Sequence, residues 1–184
     1  MSQNTKVVTG IDTRLAYANV WELKHINGGK KRYSVSLIIP KSDKKTIKAI
    51  KNAINAAIRE GVGKLGGKKS YNKASLKLPL RDGDLERNDS AYQDSYFIYA
   101  TSITAPQIVD KHIQPIHDHN EVYSGCYARV SVNFYAFNIN GNRGIACGLG
   151  NIQKIRDGKS LGDHARASDD FTVIYDNSDK DFSD

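Results

Sequence analysis

The 184 residues, 39% of them hydrophobic, suffice for one domain with a real core, and no apolar run approaches the ~20 residues that span a bilayer. The start, MSQNTKVVTG, lacks the apolar segment of a secretory signal, and two cysteines, Cys126 and Cys147, are too few for a disulfide framework; reduced thiols, no membrane and a cytoplasmic location are expected. The net charge of +7 is unevenly spread, with a basic body and an acidic end.

TRLAYANVWEL (13–23) reads as a strand, with Leu15, Tyr17, Trp21 and Leu23 on one parity. NGGKK (27–31) is a turn with two glycines able to take positive φ. RYSVSLII (32–39) returns with Tyr33, Val35, Leu37 and Ile39 on one face, and Pro40 ends it. Ser42 is placed to cap a helix from about Asp43 to Glu60, in which Ile47, Ile50, Ile54, Ala57 and Ile58 recur at helical spacing. Gly61 and Gly63 stop it.

The glycine- and lysine-rich run 61–84 predicts a long loop ending in an extended segment. From Lys41 to Arg81 twelve Lys/Arg face two acids, Asp43 and Glu60. SYFIYATSI (95–103) is a strand, and 105–125 is a long excursion with two prolines, read as a small hairpin across the barrel. In the next strand Val130, Val132, Phe134 and Ala136 share one face; Tyr127, Arg129, Ser131, Asn133, Tyr135 and Phe137 share the other. A turn at NINGNRG (138–144) leads to a partner strand, 144–155. Periodicity is lost beyond Arg156, and from Asp169 to Asp184 six Asp face one Lys. Five main strands and one amphipathic helix, with long loops, predict a mainly β fold. A five-stranded OB-type Greek-key barrel over 1–168 is the expected form, followed by an acidic tail over 169–184. An open α+β sheet with one covering helix fits the pattern too.

Several chemical motifs carry little weight. GVGKLG (61–66) follows a helix, whereas a dinucleotide loop lies between a strand and a helix. His112, His117, His119 and Cys126 have no zinc-site spacing, so neither metal nor cofactor is expected. Asp82, Asp84 and Glu86 in RDGDLE read as a turn, because two-metal chemistry needs a second carboxylate set. No nucleophile has a recognisable base, so no catalytic residues are expected.

The strongest signal is the interleaving of rings and cations. Single-stranded nucleic acid offers phosphates on one side and flat bases on the other, and each stacked base contributes ~1–3 kcal/mol. Lys64, Lys68, Lys69, Lys73, Lys77, Arg81, Lys154 and Arg156 are the candidate phosphate contacts. Tyr71, Tyr127, Tyr135 and Phe137 are the candidate stacking rings, with Arg129 beside them. Burial of the ringed face under the helix or a homodimer partner is the alternative, as in a structural or assembly protein; RNA in place of DNA is another.

The run VYSGCYARVSVNFYAFNINGNRGIACGLGNIQKIRDGKSLG (122–162), with PLRDGD (79–84) and NVWELKHINGGKKRYSVSLIIPKSD (19–43), resembles a family of phage-encoded single-stranded-DNA-binding proteins, first catalogued as a domain of unknown function. The resemblance covers residues 10–172. It implies an OB-fold, not an enzyme, that coats single-stranded DNA in phage replication and recombination without base preference. It also implies that an acidic tail restrains DNA binding and recruits a phage polymerase, helicase or nuclease. Asp169, Asp170, Asp176, Asp179, Asp181 and Asp184 would carry that charge. Several such tails end on a ring, whereas Phe182 here is followed by Ser183 and Asp184.

Overall fold

The computed structural model describes residues 3–26, 28–67, 73–162 and 167–175. Lys68, Lys69, Tyr71, Asp176, Asp179, Asp181, Phe182 and Asp184 lie outside the described residues, as does the side chain of Asp169.

Strand β1 (Lys6–Val8) is followed by β2 (Arg14–His25) and β3 (Lys31–Pro40), and helix α1 (Lys44–Glu60) follows them. Next come β4 (Arg81–Asp82), the single turn α2 (Gly83–Glu86), β5 (Ser95–Ser102) and β6 (Ile108–Val109). The long strands β7 (Tyr127–Ile139) and β8 (Asn142–Arg156) complete the sheet, and α3 (Ala167–Asp170) is one further turn. β2 pairs with β3, β3 with β5 and β7 with β8, all antiparallel, while β5 meets β8 in parallel at Thr101 and Gly148. A pairing of Arg14 with Tyr127 joins β2 to β7 and closes the ring. Five strands closed in the order β2-β3-β5-β8-β7 make an OB-type barrel.

The core follows from side-chain alternation. Val130, Val132, Phe134 and Ala136 of β7 are buried against Ile145, Cys147 and Leu149 of β8. Helix α1 turns Ile47, Ile50, Ile54, Ala57 and Ile58 inward, with Ala53 between them. Each fully buried isoleucine contributes about 1.5–3 kcal/mol, so the stripe rather than helix propensity holds α1 in place. The N-cap is Asp43, not Ser42: its carboxylate accepts from the Thr46 N–H at 3.2 Å. The Asp43 N–H donates to the Pro40 carbonyl at 2.9 Å, and this turn delays helix entry by one residue. At the other end Gly61 is required by space, because a Cβ there would overlap that of Ala136.

The alternation expected of β2 breaks. A bulge between Ala16 and Asn19 puts Tyr17 at φ 46, and its ring is exposed rather than beside Leu15. β3 is buried on both faces, because Tyr92 packs over Ile38 and Ala16 on the outside of the barrel. The β7–β8 hairpin turns on Asn140 and Gly141, both with positive φ (52 and 85), as a tight two-residue connection demands. The excursion 105–125 makes a short reversal, in which the Ile116 N–H donates to the Ile108 carbonyl, and it buries Ile108, Ile116 and Val122. Trp21 stacks on His119 at 4.3 Å, so this imidazole packs against a ring.

Candidate nucleic-acid interface

The outward residues of β8 are small: Gly144, Ala146, Gly148 and Gly150 alternate with the core residues Ile145, Cys147 and Leu149. Lys77 covers Gly144, while Gly148 and Gly150 floor a trough between β5 and β7. Across it run Ser34, Thr101, Gly148, Asn133 and Lys6 in one cross-strand row, each paired with the next. Larger residues would fill this space. A Cβ on Gly150 would overlap the Ser131 hydroxyl, and one on Gly148 would touch the Tyr135 ring at 3.6 Å. The trough opens as a groove of about 480 Å³, with Thr101, Ile103 and Arg32 on one side and Ser131, Asn133, Tyr135 and Lys6 on the other.

Tyr135 is 42% exposed and stands over this floor. Tyr99, two residues before Thr101 on the same face of β5, is 44% exposed. Lys6 and Arg32 have no acidic partner among the described residues, so their charge is available to an anion. Tyr135 also borders a second groove, shared with Lys64, Gly61 and Gly63 at the end of α1. The turn 61–67 is pinned there by hydrogen bonds from Asn138 Nδ2 to the Lys64 carbonyl and from Arg143 Nη1 to the Leu65 carbonyl. The expected long loop is thus structured at both ends: Leu65 and Leu76 are buried, and Lys77 bridges to Gly144.

On the outside of β2, β3 and β5 lies an arginine among rings. The Arg87 guanidinium is 4.5 Å from the Tyr92 ring, 5.4 Å from Tyr17 and 6.0 Å from Phe97, and it donates to the Tyr17 hydroxyl at 2.8 Å. Arg81 pairs with Phe97 across β4 and β5, and its guanidinium is held by Glu86 at 2.8 Å. That hydrogen bond raises the Arg81 pKa further above its ordinary value. The RDGDLE acids are engaged likewise. Lys41 bridges Asp82 at 2.9 Å and Asp84 at 2.7 Å. The Lys41 ammonium and then the Asp94 N–H hold the Asp84 carboxyl below the usual range.

The structure divides the residues expected from sequence. Tyr135 and Lys64 share a groove; Phe137, half-buried, follows Tyr135 on that face of β7. Lys73 donates to Asn55 on α1 at 3.0 Å. Tyr127 and Arg129 lie at the opposite end of β7. The Tyr127 ring sits between two guanidiniums, Arg156 at 3.9 Å and Arg14 at 5.6 Å. Arg156 is tied to Asp12 at 3.1 Å, Lys154 to Asp157 at 2.7 Å, and Arg129 to the Thr9 carbonyl at 3.3 Å. Asp170, in the turn α3, is exposed.

Lys6, Arg32, Tyr99, Gly148 and Gly150 escaped the sequence reading. The signal for Tyr99 is present in YFIYATS, where rings and small core residues alternate. The glycines are legible in GIACGLG as small residues at every second position. Lys6 and Arg32 are single cations near strand ends, and only pairing across the sheet brings them to one groove.

The family model described as Enterobacter phage Enc34, ssDNA-binding protein, matches residues 5–183. A putative protein p50 from Acyrthosiphon pisum secondary endosymbiont phage 1 is 32% identical over 155 residues, 82% of this chain and 83% of that protein. Among solved structures, the single-stranded DNA-binding protein from bacteriophage Enc34 in complex with ssDNA superposes with a TM-score of 0.75 at 18% identity. That match covers 87% of this chain and 91% of the other. Bacteriophage T7 gp2.5, a single-stranded DNA binding protein, gives 0.61 at 13% identity, covering 90% and 99%. At such identities the two structures speak for the fold.

Proposed function

This chain belongs to the family of the Enterobacter phage Enc34 single-stranded-DNA-binding protein, and from that premise we propose that it binds single-stranded DNA without base preference, in phage replication and recombination. It is a binding protein and not an enzyme. The observation that carries the reading is the groove over β8: a floor of small residues, the exposed ring of Tyr135, and Lys6 and Arg32, which have no acidic partner among the described residues, with Tyr99 exposed farther along the same face of β5. Bases can stack on such rings whatever their identity, because every base has a flat face, while the cations meet the phosphates. Small floor residues let a planar base approach the sheet closely.

The acidic tail, with Asp169, Asp170, Asp176, Asp179, Asp181 and Asp184, supplies a competing polyanion and a partner-docking segment that includes Phe182. Its charge is opposite to that of the body, which is the physical basis for competition at low ionic strength.

The test is a titration of labelled oligo(dT) with the full chain, in competition with oligo(U) and duplex DNA. Oligo(dT) is expected to win over duplex, with affinity falling steeply with salt, by a slope of about −0.7 per phosphate neutralised. Equal affinity for duplex, or a flat salt dependence, would overturn the reading. Removal of residues 169–184 should tighten binding at low salt; unchanged affinity would remove the tail from the competition but leave the groove.

A further inference from the structure

We propose that the solvent-facing side of α1 is a second phosphodiester-binding track, separate from the groove at Tyr135. The inference rests on the single-strand reading above and extends it to a surface that neither the family match nor the sequence motifs assign.

Lys44, Lys48, Lys51, Asn55 and Arg59 follow one another at intervals of four, three, four and four residues. At 100° per residue they fall within an arc of roughly 80°, away from the buried stripe of Ile47, Ile50 and Ile54. The row from Lys44 to Arg59 is ~22 Å long at 1.5 Å per residue. Asn55 carries an additional cation, because it holds the Lys73 ammonium at 3.0 Å. The stripe is therefore basic at every turn.

Its cations differ from those elsewhere on the barrel. Arg81, Lys154 and Arg156 each face a carboxylate, whereas Lys44, Lys48, Lys51 and Arg59 have no acidic partner among the described residues. Like charges at neighbouring turns repel and destabilise an isolated helix, so a row of them is a cost to folding that a bound polyanion would offset. Positions such as these are where a helix ordinarily carries Glu–Lys pairs.

A groove and a ring mark one end of the track. At the C-terminal end of α1, the groove at Tyr135 is lined by Ala57, Glu60, Gly61, Gly63 and Lys64, on a face of the helix turned away from the row. At the N-terminal end a groove of about 460 Å³ runs between the helix and Tyr96, whose ring has Lys41 at 5.2 Å and Lys51 at 5.6 Å. A strand seated on Tyr96 would run from this groove along the basic row toward Arg59. Its phosphates would meet ammonium groups at each turn, and Tyr96 would offer an edge to the last base.

The experiment is a ladder of oligo(dT) lengths bound to the intact chain, compared with the triple variant Lys44→Gln, Lys48→Gln, Lys51→Gln and with Tyr135→Ala. The shortest oligomers that bind should show unchanged affinity for the triple variant. For long oligomers its affinity should stop rising with length sooner than that of the unaltered chain, and its salt slope should be smaller by about 2. Tyr135→Ala should weaken short and long oligomers alike. The charge-retaining variant with Arg at the same three positions should restore the long-oligomer affinity, which loss of folding would not explain. Identical length dependence and salt slope in the triple variant would overturn the track while leaving the groove. Failure of the unaltered chain to bind any oligomer would overturn the single-strand reading, and the track with it.

Discussion

The two ends of β7 carry the same pattern on the same face and have opposite fates. Near its start, Tyr127 is enclosed by Arg14 and Arg156, and Arg129 is tied to the Thr9 carbonyl. Near its end, Tyr135 stands exposed beside a trough floored by glycine. Alternation places both rings on the outer face, yet what covers that face is decided by other segments. The chain at 9–14 and 156–159 returns over the first half, where Gly158 packs against the Tyr127 ring. Over the second half β8 presents only small residues. A ring between two cations is a packing device; a ring over a glycine floor leaves room for a ligand.

That contrast can be broken experimentally. The largest effect is expected beneath both halves: Phe134→Ala removes a side chain that is 1% exposed in the shared inner face and should cost about 3–5 kcal/mol in urea unfolding. A loss below 1 kcal/mol would mean that the inner and outer faces are wrongly assigned. Next, Tyr135→Ala and Tyr99→Ala should each weaken oligo(dT) binding by about 1–3 kcal/mol while leaving the unfolding midpoint close to its original value. Tyr127→Ala should do the converse. It should lower stability by about 0.5–2 kcal/mol, through loss of contacts with both guanidiniums, and leave oligo(dT) affinity unchanged. An affinity loss as large as that for Tyr135→Ala would erase the distinction between the two halves. The smallest effect belongs to Gly148→Ala. The added methyl would meet the Asn133 carbonyl at 3.4 Å and the Tyr135 ring at 3.6 Å, ordinary contacts that the fold tolerates. It raises the floor by one carbon and should weaken binding by less than about 1 kcal/mol, seen in anisotropy titrations with no change in melting.

Legibility in the sequence followed the range of the physics. The strand β7 and the helix α1 were readable because each buries one face, so the burial pattern repeats within the segment itself. The cap of α1 shifted from Ser42 to Asp43 because a turn from Pro40 sets where the helix can begin. Tyr17 was misplaced because one bulge inverts parity downstream, and nothing in LAYANV announces it. Among the cations of the chain, composition could not separate the candidate Arg156, held by Asp12 from 144 residues away, from Lys44, which was no candidate and has no such partner among the described residues.

Sequence by itself determined the mainly β class, the single amphipathic helix, the two faces of β7 and, through its motifs, the family. These are properties of short windows, or of a long run of residues matched in order. The closed ring, the trough over β8 and the division of rings and cations into clamped and open were decided only in three dimensions. They depend on which distant segments cross a given face. Lys6, Arg32 and Tyr135 lie far apart in the chain and meet only because β1, β3 and β7 are held in register by backbone hydrogen bonds, a pairing that no local pattern of side chains encodes.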